Sequence, residues 1–346
     1  MNSIVSRSAI AMATGTVLAA STGTASAATF NPSPTFDQFA SYSTINPING
    51  DATDIYYPTL EDSSPVDNLP IALLLQGALV DKAAYSSYAS QVARYGFAVV
   101  VPNHVQTVPG FGEVLAPETS QLQAVLDQLN AETADANSPL SGSVDTQKLG
   151  LLGHSLGGSV GLSAIGEICL PGLCPAPFER PEELVAGAFF GANLRDANDV
   201  FLPIDNDGIG IALIQGNQDG RALPFRAERT YDQIQTPPRA LITLDGVNHF
   251  GITDVNMPIG AVPDPQPQTL AQDAAIETIA RWSGLFLRGT VLDDQDALDY
   301  VFNTGAALDP NVVGVEAEAQ PVPEPMTWAG IGVVSLGLFW RKRYAS

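Results

Sequence analysis

Residues 149–160 read LGLLGHSLGGSV and place a serine between glycines at the junction of two regular elements. Residues 148–152, which are mostly apolar, predict a buried strand, and the small residues of 158–165 predict a helix packed close to it. Between them, GHSLG fits the pattern G-x-S-x-G. The glycines leave room for a sharp strand-to-helix turn that raises the hydroxyl of Ser155 above the strand end. The pattern predicts a nucleophilic serine in an α/β protein, although a serine here could also simply cap the helix.

A nucleophilic serine needs a base, and the chain has 3 histidines. His154 adjoins the serine on a sharp turn, so its side chain is expected to point away from it. His104 precedes the serine in the chain, which is the wrong order for this motif. His249 follows an apolar run at 241–244, near the end of a late strand. We therefore predict that His249 is the base.

The acid of such a site is expected at the end of the strand that precedes the histidine. Residues 210–215 predict that strand, and Asp219 lies in the turn after it. From there its carboxylate would accept the Nδ1–H of the histidine and fix the tautomer. Asp245 and Asp254 are rivals because both are close to His249 in sequence. Asp219 is favoured, because Asp245 is typical of a turn before a glycine and Asp254 follows the histidine.

Acyl transfer also needs donors for the negative oxygen that develops in the transition state. The first expected donor is the backbone N–H of Leu156, which follows the nucleophile. The second is expected in the loop after an early strand, where residues 71–75 are followed by Gln76-Gly77-Ala78-Leu79. Ala78 is our candidate for that second N–H.

These segments together resemble the α/β-hydrolase superfamily. The likeness is carried by LLLQGALVDKAAYSSYASQVARYGFAVVVPNH, KLGLLGHSLGG, LIQGNQDG and LDGVNHFGITD, and it spans about residues 51–288. Within the superfamily the chain is most similar to the single-domain branch of dienelactone hydrolases, chlorophyllases, platelet-activating-factor acetylhydrolases and cutinase-like polyester hydrolases. The resemblance implies a mainly parallel sheet with helices on both faces and a Ser-His-Asp site at the strand ends.

By the same likeness, Ser155, Asp219 and His249 take the roles of a catalytic triad. Ala78 and Leu156 would then supply the oxyanion hole. Many relatives have His-Gly where this chain has Gln76-Gly77.

Both ends of the chain carry the pattern of an exported protein. Residues 1–28 combine an early arginine, a small-residue apolar stretch and an Ala-Ser-Ala cleavage site, which is typical of a secretory signal peptide. Residues 323–346 join Pro-Glu-Pro to an apolar span and a basic end, an arrangement that resembles the PEP-CTERM sorting signal. That likeness implies removal of the tail by an exosortase-type enzyme and an extracellular or surface-associated protein. A permanent tail anchor is the alternative.

The chain carries a net charge of −22, which argues against binding to nucleic acid or to anionic membranes. Its 2 cysteines are Cys169 and Cys174. In an exported protein so close a pair predicts a disulfide. A metal site would need more cysteines or nearby histidines, so neither a metal nor another cofactor is expected.

The predicted organisation is a signal peptide at 1–28, one α/β domain at 29–304, an acidic linker at 305–322 and the sorting tail. Strands are predicted near 55–57, 71–75, 98–101, 149–152, 186–190, 211–214 and 241–244, and helices at 82–95, 118–132, 158–169, 224–233 and 269–287. The stretch between 190 and 211 is too short for a large cap domain. Loops should therefore wall the site, the candidates being the disulfide segment and the proline-rich residues 257–268.

Taken together, the sequence predicts an exported serine hydrolase that cleaves small or polymeric carboxylic esters through an acyl-enzyme. A surface or matrix protein that keeps the fold only for binding is one alternative. A related hydrolase that cleaves amides is another, because the same triad serves both reactions.

Overall fold

The protein is described from a computed structural model. The structure describes residues 30–108, 110 and 112–320, and the compact unit begins at Pro32. The predicted signal peptide and sorting tail lie outside the described residues. Within the described residues, no helix is both long enough and apolar enough to cross a membrane.

A mixed sheet of nine strands forms the centre of the described part of the chain. Its strands, in chain order, are β1 (Gln38–Ile45), β2 (Ala52–Thr59), β3 (Leu69–Leu75), β4 (Ala98–Asn103), β7 (Val144–His154), β8 (Leu184–Phe190), β9 (Gly210–Gly216), β10 (Arg239–Leu244) and β11 (Val312–Glu318). The spatial order is β1-β2-β4-β3-β7-β8-β9-β10-β11. β3, β4, β7, β8, β9 and β10 pair in parallel, whereas β1, β2 and β11 pair antiparallel. A short hairpin of β5 (Val105–Val108) and β6 (Gly112–Leu115) is separate from this sheet.

Helices connect most of the parallel strands. They are α1 (Ser86–Ala93), α2 (Ser120–Ala134), α3 (Leu156–Ile165), α4 (Pro224–Tyr231), α5 (Gln272–Val291), α6 (Gln295–Asp299) and α7 (Gly305–Leu308), with a 3-10 turn at Lys82–Tyr85 and a π turn at Tyr300–Thr304. Each predicted strand and helix is present, although α3 ends at Ile165 and not at Cys169 as expected. The mostly parallel sheet with its helices confirms the predicted α/β fold.

The two faces of the sheet are covered by different helices. Leu151 of β7 belongs to one buried cluster with Val160 and Ile165 of α3. A Cβ at Gly150 would instead meet the Leu287 side chain of α5 at 3.1 Å. Because neighbouring residues of a strand face opposite sides, α3 and α5 lie on opposite faces. β3, β8 and β9 are accordingly buried along nearly their whole length, and β7 is buried from Leu149 to His154, as expected of strands covered on both faces.

The structure corrects the prediction of a linker beginning at residue 305. Residues 305–308 form α7, and β11 pairs antiparallel with β10, from Arg239 opposite Glu318 to Leu244 opposite Val312. β11 is an edge strand whose residues alternate between half-buried and exposed positions along much of its length. Acidic residues in this stretch indicated a linker, but Glu316 and Glu318 occupy exposed positions of that edge strand. The strand therefore belongs to the folded domain.

Candidate active site

Ser155 lies at the turn between β7 and α3, with φ 54° and ψ −118°. Few non-glycine residues adopt a positive φ, and such strain concentrates at functional sites. The turn is possible because the next residue but one is glycine. A Cβ at Gly157 would lie 2.0 Å from the carbonyl oxygen of Leu75, so no larger residue fits there. The hydroxyl of Ser155 is thereby held at the carboxyl end of the central strand.

The structure brings together the three side chains that the sequence singled out. The Oγ of Ser155 lies 2.8 Å from Nε2 of His249, and Nδ1 of His249 lies 2.8 Å from Oδ2 of Asp219. A carboxylate only accepts hydrogen bonds, so the Nδ1–H of the histidine donates to Asp219. Nε2 is then free to accept the hydrogen bond of the serine hydroxyl. Asp219 is 1% exposed.

Backbone and side-chain donors hold the Asp219 carboxylate in place. The N–H groups of Arg221 and Ala222 donate to Oδ1 at 2.8 and 2.6 Å, and the Gln215 amide donates to Oδ2 at 3.3 Å. The two rival acids lie elsewhere in the hydrogen-bond network. Asp245 accepts from Asn217, and Asp254 accepts from the hydroxyl of Ser86 and the N–H of Ser87 at the start of α1.

Both predicted oxyanion donors line the same cavity as Ser155. Leu156 is the first residue of α3, and Ala78 lies in the loop after β3. An N–H in the first turn of a helix has no partner within that helix. In the part of the chain that the structure describes, neither amide donates a hydrogen bond. Both are therefore available to a negatively charged oxygen beside Ser155.

His154 belongs to a buried hydrogen-bond chain that sequence reasoning did not anticipate. The N–H of Gly77 donates to the Tyr85 hydroxyl at 2.8 Å, that hydroxyl lies 2.9 Å from Nδ1 of His154, and Nε2 of His154 lies 2.9 Å from the carbonyl oxygen of His249. The carbonyl only accepts, so Nε2 carries the hydrogen and Nδ1 accepts from Tyr85. Burial, with a smaller contribution from His249, holds the pKa of His154 well below its usual range. His154 is therefore a neutral link between the Ala78 loop and the His249 loop.

Asp264 and Gly191 are two further site residues that the sequence did not reveal. The carboxylate of Asp264 accepts from the N–H of His249 at 2.8 Å and from the N–H of Gly220 at 3.1 Å, so it joins the loops of the two triad partners. Gly191 has φ 59°, and a Cβ there would lie 3.0 Å from the Asp219 carboxylate. Only the proline-rich composition of residues 257–268, noted as a candidate wall, pointed to the region of Asp264.

Ser155 opens into a cavity of about 550 Å3. Leu170, Pro171 and Leu173 of the disulfide segment form part of its wall, and Ala261 and Val262 of the proline-rich segment form another part. The predicted disulfide between Cys169 and Cys174 is confirmed. Over residues 30–108, 110 and 112–320, no group of three or more His, Cys, Asp or Glu side chains is arranged to hold a metal ion.

Comparison with known proteins found one family match, over the first part of the chain. The model of a family described as PETase, PET hydrolase-like, matches residues 17–176. The matched stretch includes β3 and the turn of Ser155, and it ends before Asp219 and His249. No curated protein matches the chain significantly. Over residues 17–176 the chain is thus similar to the PET hydrolase-like family, which belongs to the α/β-hydrolase superfamily.

Proposed function

We propose that this protein is a serine hydrolase that cleaves carboxylic esters through a covalent acyl-enzyme. The observation that carries the proposal is the hydrogen-bonded series Ser155–His249–Asp219, with both distances at 2.8 Å, at the edge of an open cavity. The likeness to a family described as PET hydrolase-like supports ester cleavage, because poly(ethylene terephthalate) is a polyester. The reaction would proceed in two halves.

In the first half, the Oγ of Ser155 attacks the ester carbonyl carbon while Nε2 of His249 takes the hydroxyl proton. The carbonyl oxygen becomes negative and accepts hydrogen bonds from the N–H groups of Leu156 and Ala78. The C–O bond to the alcohol then breaks, and the His249 proton passes to the departing oxygen. The acyl group remains on Ser155.

In the second half, water attacks the acyl-enzyme and gives its proton to His249. The bond between the acyl carbon and the Oγ of Ser155 breaks, the proton returns to that oxygen, and the carboxylic acid leaves. Asp219 stays ionised throughout and stabilises the imidazolium that forms in each half.

Covalent labelling tests this proposal directly. Only an activated hydroxyl attacks a fluorophosphonate readily, so the wild-type protein is expected to label on Ser155 and to hydrolyse p-nitrophenyl esters. Ser155→Ala should lose both properties. Ser159→Ala is the matched control, since Ser159 lines the same cavity but donates its hydroxyl to the Asn193 carbonyl; it should still label.

The negative outcome is equally definite. A folded wild-type protein that neither labels nor hydrolyses any of several esters would contradict the proposal and favour a binding role. Faster cleavage of matched anilides than of esters would instead indicate an amide-cleaving hydrolase.

We also propose that the protein is exported and that its tail is processed. The support is the sequence pattern of residues 1–28 and 323–346, which lie outside the described residues. Mass spectrometry of the extracellular fraction of the native cells is expected to find a chain that ends near Pro325. Recovery of an intact Ser346 in membranes only would show a permanent anchor and overturn tail processing.

A further inference from the structure

The cavity at Ser155 has the opposite charge balance to the whole chain. The chain has 37 acidic residues and 15 lysines and arginines. Among the described residues that line the cavity, Arg195, Arg221 and Arg226 stand against one carboxylate outside the triad, that of Asp196. A basic cavity in so acidic a protein indicates an anionic ligand.

The arginines lie on one side of the serine. In the sheet, β7 with Ser155 lies between β3 and β8. On the β8 side, Arg195 follows β8, and Arg221 and Arg226 follow β9. On the β3 side, the loop after β3 contributes Leu79 and Val80 to the cavity. The basic side chains of the cavity therefore come from the segments that follow β8 and β9, whereas the loop after β3 adds apolar ones.

Among the described residues, two of these arginines have no carboxylate partner. Arg195 forms an ion pair with Asp199. In the described part of the chain, Arg221 and Arg226 form no ion pair. Partial burial of Arg195, together with the nearby charge of Arg226, lowers the pKa of the Arg195 guanidinium. Like charges held together are unfavourable until an anion neutralises them.

In the described part of the chain, Asp196 forms no ion pair with these arginines. Its carboxylate accepts hydrogen bonds from the N–H groups of Asn198 and Val200 on its own loop. More distant carboxylates matter less, because at physiological salt charges separated by more than about 8 Å are largely screened.

We propose that Arg221 and Arg226 form a carboxylate-binding subsite, so that the preferred substrates are esters that also bear a free carboxylate, such as monoesters of dicarboxylic acids. The inference rests on the proposed ester hydrolase function and names the substrate class of that site. A carboxylate suits the cluster because guanidinium groups bind it through two parallel hydrogen bonds.

Matched substrate pairs test the subsite. Mono-p-nitrophenyl adipate and its neutral methyl ester place the carboxylate or its uncharged counterpart on the acyl side. The pair 4-acetoxybenzoate and methyl 4-acetoxybenzoate does so on the alcohol side. In at least one pair, the wild-type protein should give a higher kcat/KM for the anionic ester. No preference in either pair would overturn the subsite.

Variants then assign the preference to the arginines. Arg221→Gln and Arg226→Gln should each lower the ratio of kcat/KM for the anionic ester to that for the neutral ester by about tenfold, the size typical of a charge-assisted hydrogen bond. Arg229→Gln is the matched control. Arg229 lies on α4, the helix that carries Arg226, but it is exposed and stacks on the rings of Phe201 and Phe225. This variant should leave the ratio unchanged. An unchanged ratio in the first two variants would overturn the proposal.

Direct binding separates failure of the subsite from failure of catalysis. Calorimetry with the Ser155→Ala protein should show that monomethyl adipate binds about tenfold or more tightly than dimethyl adipate, and that Arg226→Gln added to that background removes the difference. Equal binding of the two would overturn the subsite even if esters are cleaved. Selective binding by a wild-type protein that cleaves no ester would uphold the subsite and contradict the hydrolase.

Discussion

At the residue scale, the reactive geometry depends on the hydrogen bonds that hold the side chains of Asp219 and His249 in place. The Asp219 carboxylate receives the Nδ1–H of His249 and three further donors, so its position and the histidine tautomer are both determined. Nε2 of His249 consequently faces the Ser155 hydroxyl as an acceptor. This arrangement makes the contribution of each side chain separable by substitution.

Replacing Asp219 by asparagine is expected to lower kcat about 10⁴-fold, because an amide can stabilise the wrong histidine tautomer and carries no charge. Steady-state hydrolysis of a p-nitrophenyl ester measures the effect. Asp245→Asn is the control, since the Asp245 side chain accepts a hydrogen bond from Asn217 at an exposed turn and the variant should lose little activity. Equal losses in the two variants would contradict the assignment of the acid.

Tyr85→Phe should lower kcat about tenfold with little change in KM, because it unlinks the Gly77 N–H from His154 and loosens both loops at the reacting atoms. Each buried group left without a partner should also cost about 1–3 kcal/mol of stability. Tyr88→Phe is the matched control, since Tyr88 is equally buried but has its hydroxyl bonded to Ser283. A parallel loss of kcat in Tyr88→Phe would show that the effect is only structural.

At the element scale, His104 links the end of β4 to the residues that precede β2 and α2. His104 follows β4, and its Nδ1 lies 3.0 Å from the carboxylate of Asp51, just before β2. Its Nε2 lies 3.4 Å from the carboxylate of Glu118, just before α2. Burial alone would lower the pKa of His104, but Asp51 and Glu118 together outweigh it, so the pKa is raised. Protonated His104 thus joins two elements through ion pairs.

This ion pair makes part of the stability depend on pH. A histidine whose folded pKa is raised stabilises the protein fully below its unfolded pKa of about 6.5, and the contribution is lost as pH rises through the folded pKa. His104→Gln should therefore reduce the free energy of unfolding more at about pH 5.5 than at about pH 9, by up to about 1 kcal/mol. Urea denaturation at both pH values measures the difference. An equal loss at both would contradict a protonated His104 in the folded state.

At the scale of the whole molecule, the C-terminal part of the domain is attached through a buried ion pair. Asp309 precedes β11 and is 3% exposed. Its carboxylate accepts from Arg281 at 2.6 Å and from the indole N–H of Trp282 at 3.0 Å, both on α5. β11 then covers the edge of β10, which would otherwise present unpaired backbone groups.

Asp309→Asn should lower the free energy of unfolding by about 3 kcal/mol, because it leaves the buried end of Arg281 without its full counter-charge. Chemical denaturation gives the value. Asp296→Asn on α6 is the control, because Asp296 is exposed and should change stability by less than about 0.5 kcal/mol. A loss below 1 kcal/mol in Asp309→Asn would show that this contact does not attach β11.

Local patterns in the sequence were enough for the central strands, the turn of Ser155 and the choice of residues for the triad. A buried strand and the turn after it are recognised from neighbouring residues, because the apolar run and the small or acidic residue that ends it are adjacent in sequence. Parallel strands then bring their carboxyl ends to one edge of the sheet. The roles of Ser155, His249 and Asp219 remain proposals, but the sequence named the three side chains that the structure places within hydrogen-bond distance.

Only the tertiary structure decided the contacts between residues distant in sequence. Nothing in the sequence near Tyr85 or Asp264 indicates that each bonds to a loop of the site, because those partners are 69 and 15 residues away. Likewise, the sequence of β11 predicted an acidic linker, because only its pairing with the distant strand β10 makes it part of the sheet. The placement of Arg221 and Arg226 in the cavity of Ser155 depends on the fold of the segment after β9, which the sequence pattern did not indicate. Composition averages over the chain, whereas binding depends on which side chains the fold brings together.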